Sequence, residues 1–137
     1  MSARTQACIA VVDDHDSLSR SLNRLLRAAG MHPVSYPSAE ALLSDDNRPQ
    51  FDCMVIDIQL SGMSGIELNE RLAASGSRSP VIFTTAYDEP EIREQAIRTG
   101  CIAYLRKTES SETILAAIAR AIRPSPETGQ KDTNPEL

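Results

Sequence analysis

Apolar positions along this chain alternate between two periods. Cys8 to Val12 is a short continuous apolar run that ends in Asp13-Asp14. Leu18, Leu22, Leu25, Leu26 and Ala29 follow as a one-sided stripe at helical spacing, with Gly30 where a helix C-terminus favours glycine. His32 to Tyr36 reads as a second strand, and Ser38 is placed to cap a brief helix through Leu43. Phe51 to Ile58 is nearly unbroken apart from Asp52 and Asp57, as in a strand buried on both faces. The segment Ser61 to Gly65 is a loop that leads into a helix carrying Ile66, Leu68 and Leu72. Pro80 to Thr84 is a fourth strand. Asp88 is expected to cap the next helix (Ile92, Ala96, Ile97), with Pro90 tolerated in its first turn and Gly100 ending it. Ile102 to Leu105 is a fifth strand, and Ser110 or Ser111 caps a last helix with Ile114, Leu115, Ile118 and Ile122.

Strand then helix, five times over, predicts an α/β fold: a parallel sheet covered by helices on both faces. The domain is expected over residues 1–123. From Pro124 the sequence PSPETGQKDTNPEL is Pro-rich and polar, and 124–137 is predicted to be a disordered tail or linker. A hydrophobic content of 41% in 137 residues supports one core, and 4% aromatics make that core aliphatic. A net charge of -5 argues against direct nucleic-acid binding. No segment approaches the about 18 consecutive apolar residues of a membrane span, and no signal-peptide core is evident, so a cytoplasmic protein is expected. Cys8, Cys53 and Cys101 are far apart, odd in number and without a CxxC pair, which predicts reduced thiols rather than a disulfide or zinc site.

Ligands of open α/β sheets bind outside the carboxyl ends of the strands. Asp13-Asp14 ends strand one, Asp57 ends strand three, Thr84-Thr85 ends strand four, and Arg106-Lys107 follows strand five. Singly, each has an ordinary explanation: turn chemistry for the acidic pair, a cap or loop role for Asp57, a solvated charge for Lys107, β-branched filling for the threonines. Together they share one sheet edge. Three carboxylates brought together repel, so one takes a proton or a cation neutralises them. An oxygen-only ligand set suits a hard ion, Mg²⁺ with Mn²⁺ as a substitute. Lys107 supplies a positive charge for a phosphate and Thr85 a hydrogen-bond donor. A carboxylate nucleophile, a metal and a cation together describe acyl-phosphate formation. The absence of a Gly-rich phosphate loop argues against nucleotide binding.

The segments VVDDHDSLSRSL, CMVIDIQLSGMSGIEL, PVIFTTA and GCIAYLRK resemble the receiver domains of bacterial two-component response regulators, over about residues 7–122. The stretch DIQLSGMSGIELNERLAASGSRSPVIFTTA resembles the FixJ-like branch. The resemblance implies a flavodoxin-like (βα)5 doubly wound sandwich with strand order 2-1-3-4-5. It implies that Asp57 is the phosphoacceptor. Asp13, Asp14, Asp57 and the backbone carbonyl of Gln59 would hold the metal. Thr85 resembles the switch hydroxyl, Ala86 the small residue that admits phosphate, Tyr104 the aromatic that turns inward, and Lys107 the phosphate-binding lysine. Gln59 and Tyr87, at the pocket rim, would tune hydrolysis.

The implied donor is a sensor histidine kinase or a histidine phosphotransfer protein. The implied output is a downstream protein, or a second copy, on the face of helix four, strand five and helix five. Self-phosphorylation and self-dephosphorylation would be the only chemistry, so no enzyme is expected. A phosphatase using the same pocket would need a cap that no insertion is long enough to form. Two alternatives stand beside this reading: a phosphorylation-independent adaptor of the same fold, and a receiver fragment of a longer transcription factor. Two positions depart from the family pattern. Thr108 follows Lys107 where the family has Pro on a cis bond; a cis bond before a non-proline costs about 3 kcal/mol, so a trans bond is predicted and the lysine's placement is put in question. Ser61 replaces a common Pro, which is expected to loosen the loop after Asp57.

Overall fold

The structure, a computed structural model, describes residues 6–122. The expected tail at 124–137 therefore lies outside the described residues. In chain order the elements are β1 (Cys8–Val12), α1 (Asp16–Ala28), β2 (His32–Tyr36), α2 (Ala39–Ser44), β3 (Cys53–Asp57), α3 (Gly65–Ala74), β4 (Val81–Thr85), α4 (Pro90–Thr99), β5 (Ala103–Arg106) and α5 (Ser111–Ile122). The five strands form one sheet in the order β2-β1-β3-β4-β5, and each pairing is parallel.

Alternation along the strands builds a core layer on each face of the sheet. Ile9 and Val11 of β1, Cys53 and Val55 of β3, and Ile82 of β4 pack against Leu26 of α1 and Ala117 and Ile118 of α5. Ala10, Val12, Met54, Ile56, Val81 and Phe83 point the other way, toward Leu42 of α2, Leu68 and Leu72 of α3, and Ala96 of α4. Both faces of the central strands are thus covered, which explains why they read as unbroken apolar runs. Full burial of each such aliphatic side chain contributes about 1.5–3 kcal/mol. Cys53 is fully buried at the centre of this arrangement, and all three cysteines are free thiols.

Strands four and five begin and end one residue later than expected, and strand three is confined to Cys53–Asp57. Pro80 has no N–H to give a ladder, and only its carbonyl takes part, accepting from Met54 N at 2.9 Å. Three helices start on a serine cap, two of them, at Ser38 and Ser110, as the sequence indicates. Ser38 accepts from Ala41 N at 3.0 Å, Ser64 from Glu67 N at 3.1 Å, and Ser110 from Thr113 N at 3.2 Å. Asp88 does not cap α4. The N-cap is Glu89, which makes no side-chain cap bond. The Asp88 carboxylate instead pairs with Arg93, lies 3.5 Å from Arg106 Nε, and accepts from the Tyr104 hydroxyl at 3.3 Å. Pairing with two cationic guanidinium groups outcompetes a bond to a neutral backbone amide.

One glycine is fixed by close approach. A Cβ on Gly65 would lie 2.3 Å from the carbonyl oxygen of Asp57 and 2.9 Å from an Ile56 methyl. The first turn of α3 therefore rests directly on the end of β3.

Candidate functional site

The parallel order sets β1, β3, β4 and β5 with their carboxyl ends on one edge, and the sequence-marked polar residues converge there. Asp57, the last residue of β3, is 1% exposed. Lys107 Nζ donates to Asp57 Oδ2 at 2.8 Å and lies 3.1 Å from Asp13 Oδ2. The other Asp57 oxygen, Oδ1, accepts from the amide of Gln59 at 3.0 Å. No cis peptide bond occurs among the described residues, so Lys107–Thr108 is trans, as predicted. The lysine still reaches the carboxylates, because its own amide is pinned to the Thr85 carbonyl at 2.8 Å. Ser61 ties its loop to the acidic pair. Its amide (3.1 Å) and its hydroxyl (3.0 Å) both donate to Asp14 Oδ2, two bonds that a proline could not make.

Charge in the pocket is unbalanced. Asp13, Asp14 and Asp57 face one ammonium. Burial pushes the Asp57 carboxyl above its ordinary range, and Asp13 adds to this against the pull of Lys107. Burial alone would lower the Lys107 ammonium, but its bonds to Asp57 and Asp13 prevail and hold it above the usual lysine value. Burial also works upward on Asp14, where the two Ser61 bonds outweigh it and leave that carboxyl low. A surplus of negative charge, presented by oxygen donors around the buried Asp57, fits a divalent cation. The residues that could hold one are Asp13, Asp14 and Asp57, with Gln59 at the same edge.

One contributor carried no site signal in the sequence. His15, directly after the acidic pair, brings Nδ1 to 3.3 Å from both Asp13 Oδ1 and Asp14 Oδ1, so the cluster is not made of oxygen alone. Gln59, expected at the pocket rim, engages through its side chain. Its Oε1 accepts from the Thr85 hydroxyl at 3.0 Å and from the Ala86 amide at 3.1 Å. Thr85 is fully buried, and its hydroxyl also meets the Tyr87 carbonyl at 2.8 Å. Thr85 and Ala86 are thus held by Gln59 and Tyr87, with no bond to Asp57. Tyr104 stands apart from the carboxylates, its hydroxyl on Asp88 and its ring under Arg93, 5.5 Å from the guanidinium carbon.

A parallel five-stranded sandwich with an acidic, lysine-paired pocket at its carboxyl edge defines a class, and comparison with known proteins makes it definite. The family described as the response regulator receiver domain matches residues 9–119. The chain is 32% identical over 119 residues to the transcriptional regulatory protein FixJ of Bradyrhizobium diazoefficiens, covering 87% of this chain and 58% of that protein. It is 29% identical over 132 residues to the response regulator protein TmoT of Ectopseudomonas mendocina, covering 96% of this chain and 59% of that one. Among solved structures, the crystal structure of FixJ-N superposes with a TM-score of 0.79 at 26% identity, covering 87% of this chain and 95% of the other. Response regulator StyR superposes with a TM-score of 0.77 at 34% identity, covering 85% and 59%. The chain belongs to the response regulator receiver domain family, and its likeness to FixJ in sequence and fold makes it a FixJ-like receiver. It spans little more than half the length of the curated relatives it matches. Among the described residues, no helix is long and apolar enough to cross a membrane.

Proposed function

We propose that the domain accepts a phosphoryl group on Asp57 from a phosphohistidine of a sensor kinase or phosphotransfer protein, and that this switches a protein-binding face. The observation that carries the reading is the Asp57 carboxylate, buried at the sheet edge with Lys107 Nζ 2.8 Å away and two further carboxylates beside it. An Asp57 oxygen attacks phosphorus, the P–N bond breaks, and the donor imidazole leaves with the bonding electrons and takes up a proton. Lys107 neutralises charge on the transferred group. Asp13, Asp14, Asp57 and the Gln59 carbonyl would hold Mg²⁺, or Mn²⁺ in its place. When bound, such an ion supplies Lewis-acid stabilisation of the phosphoryl oxygens.

The switch consists of groups already poised. Thr85 gives up Gln59 and Tyr87 for a phosphoryl oxygen at the opening beside Ala86, and Tyr104 moves into the space released. The responding face comprises α4, β5 and α5, where Ile97 of α4 and Ile102, just before β5, are exposed apolar side chains. It binds a downstream protein or a second copy of this chain. The chemistry is confined to the domain's own aspartate, without turnover of an external substrate.

Incubation with acetyl phosphate and Mg²⁺, followed by intact-mass measurement, tests this reading. One phosphoryl adduct is expected on the wild-type chain and none on Asp57→Asn. No adduct on either protein would leave only the phosphorylation-independent adaptor.

A further inference from the structure

His15 lies between the acidic pair and α1, and nothing in the phosphoryl chemistry above requires it. Its backbone is extended (φ -98, ψ 103) and it is the N-cap residue of α1, yet its ring makes no cap bond. The ring is turned instead into the carboxylate cluster. Nδ1 lies 3.3 Å from Asp13 Oδ1, 3.3 Å from Asp14 Oδ1 and 3.9 Å from Asp57 Oδ2, with Lys107 Nζ also at 3.3 Å. The second oxygen of each acid in the pair is engaged elsewhere, Asp13 Oδ2 by Lys107 and Asp14 Oδ2 by Ser61. The other oxygen of each acid faces the imidazole, Asp13 Oδ1 while also accepting from the His15 amide at 2.8 Å. One donor atom from each of Asp13, Asp14, His15 and Asp57 lies within 4.8 Å of the others. Atoms bound to one ion at about 2.0–2.1 Å stand roughly 3–4 Å apart. The spacing around Nδ1 is therefore already that of neighbouring ligands on a common centre.

The geometry points to His15 as a nitrogen donor to the divalent-ion site, one that turns its selectivity from Mg²⁺ toward imidazole-preferring ions such as Ni²⁺ and Zn²⁺. This rests on the cation-site reading proposed above. The physical reason is ligand type. Mg²⁺ takes oxygen donors and retains water, so it gains little from an imidazole, whereas later first-row ions bind imidazole strongly. Every oxygen site already binds Ni²⁺ more tightly than Mg²⁺, so the informative quantity is the change in that preference when the ring is removed.

Calorimetric titration of the untagged protein with Mg²⁺ and with Ni²⁺ separates the possibilities, using wild type, His15→Ala and His32→Ala. His32, the only other histidine, is exposed at the opposite, amino end of β2. His15→Ala is expected to lose about tenfold or more in Ni²⁺ affinity while keeping its Mg²⁺ affinity, and His32→Ala to behave as wild type. In the Co²⁺-loaded proteins, a hyperfine-shifted, exchangeable imidazole N–H resonance is expected in wild type and His32→Ala and absent from His15→Ala. If wild type and His15→Ala bind Ni²⁺ equally and both bind Mg²⁺, this inference falls and the cation site stands. If none of the three binds either ion, both fall together.

Discussion

At the scale of single residues, the site is a place where the fold is held against its own electrostatics. Burial and Asp13 raise the Asp57 carboxyl, so the folded chain retains a proton there over a pH range in which the unfolded chain has released it. By linkage, stability falls as pH rises from the ordinary carboxylate value through the raised one. Asp57→Asn removes a buried negative charge while Lys107 keeps Asp13. Without divalent ions, this variant is expected to be more stable than wild type by about 1 kcal/mol and to lose part of the decline with pH. Urea unfolding in EDTA across the acid range measures both, and an equal or lower stability for the variant would contradict the account. Asp13, Asp14, Asp57, Thr85 and Lys107 were legible in the sequence because each follows a run that reads as a strand. His15 was not, because one histidine after two acids looks like any surface loop until Asp57 and Lys107 arrive from distant segments. Gln59 was expected at the pocket rim, but its side-chain bond with Thr85 was not foreseen, because the two lie 26 positions apart in the chain.

Between elements, the decisive contact is the one between β3 and α3. The missing Cβ of Gly65 lets the helix start press against the Asp57 carbonyl. Gly65→Ala puts a methyl group where there is backbone, so α3 must shift or β3 must bend. A loss of about 1–3 kcal/mol is expected, read as a lower urea midpoint with an unchanged slope. Because the displaced backbone belongs to Asp57, acetyl phosphate labelling should slow in the same variant. The sequence marked Gly65 only as part of a loop, since a steric demand made by another strand leaves no local pattern. Strand and helix existence was readable from periodicity, and boundaries came within about one or two residues. The misassigned cap of α4 has a tertiary origin. Arg106 and Tyr104, both on β5, share the Asp88 carboxylate with Arg93 of α4. No local rule reveals that competition.

For the whole molecule, topology does most of the positioning. Five parallel strands with crossovers on both faces bring the four carboxyl ends of β1, β3, β4 and β5 together; the shared edge was legible from the strand-helix alternation, and the strand order from the family resemblance. What alternation does not supply is the charge balance of the assembled pocket, which depends on side-chain reach. A cation that binds only the folded state stabilises all of it. At about one hundred times its dissociation constant, Mg²⁺ should add about 2.7 kcal/mol, visible as a raised melting temperature. Asp57→Asn should gain distinctly less, which would reverse the order of stabilities seen in EDTA. A melting temperature indifferent to Mg²⁺ in the wild-type chain would remove the cation from the picture.

Cys53 offers a way to watch this from inside. It sits fully buried in the central strand, and burial pushes its thiol up to about 12. The thiolate is the form that alkylating reagents attack, so labelling must wait until the strand is released. With Cys8 and Cys101 replaced by serine, the rate at which iodoacetamide marks Cys53 becomes a clock of global opening, slowed by the same ions and variants that strengthen the opposite end of β3.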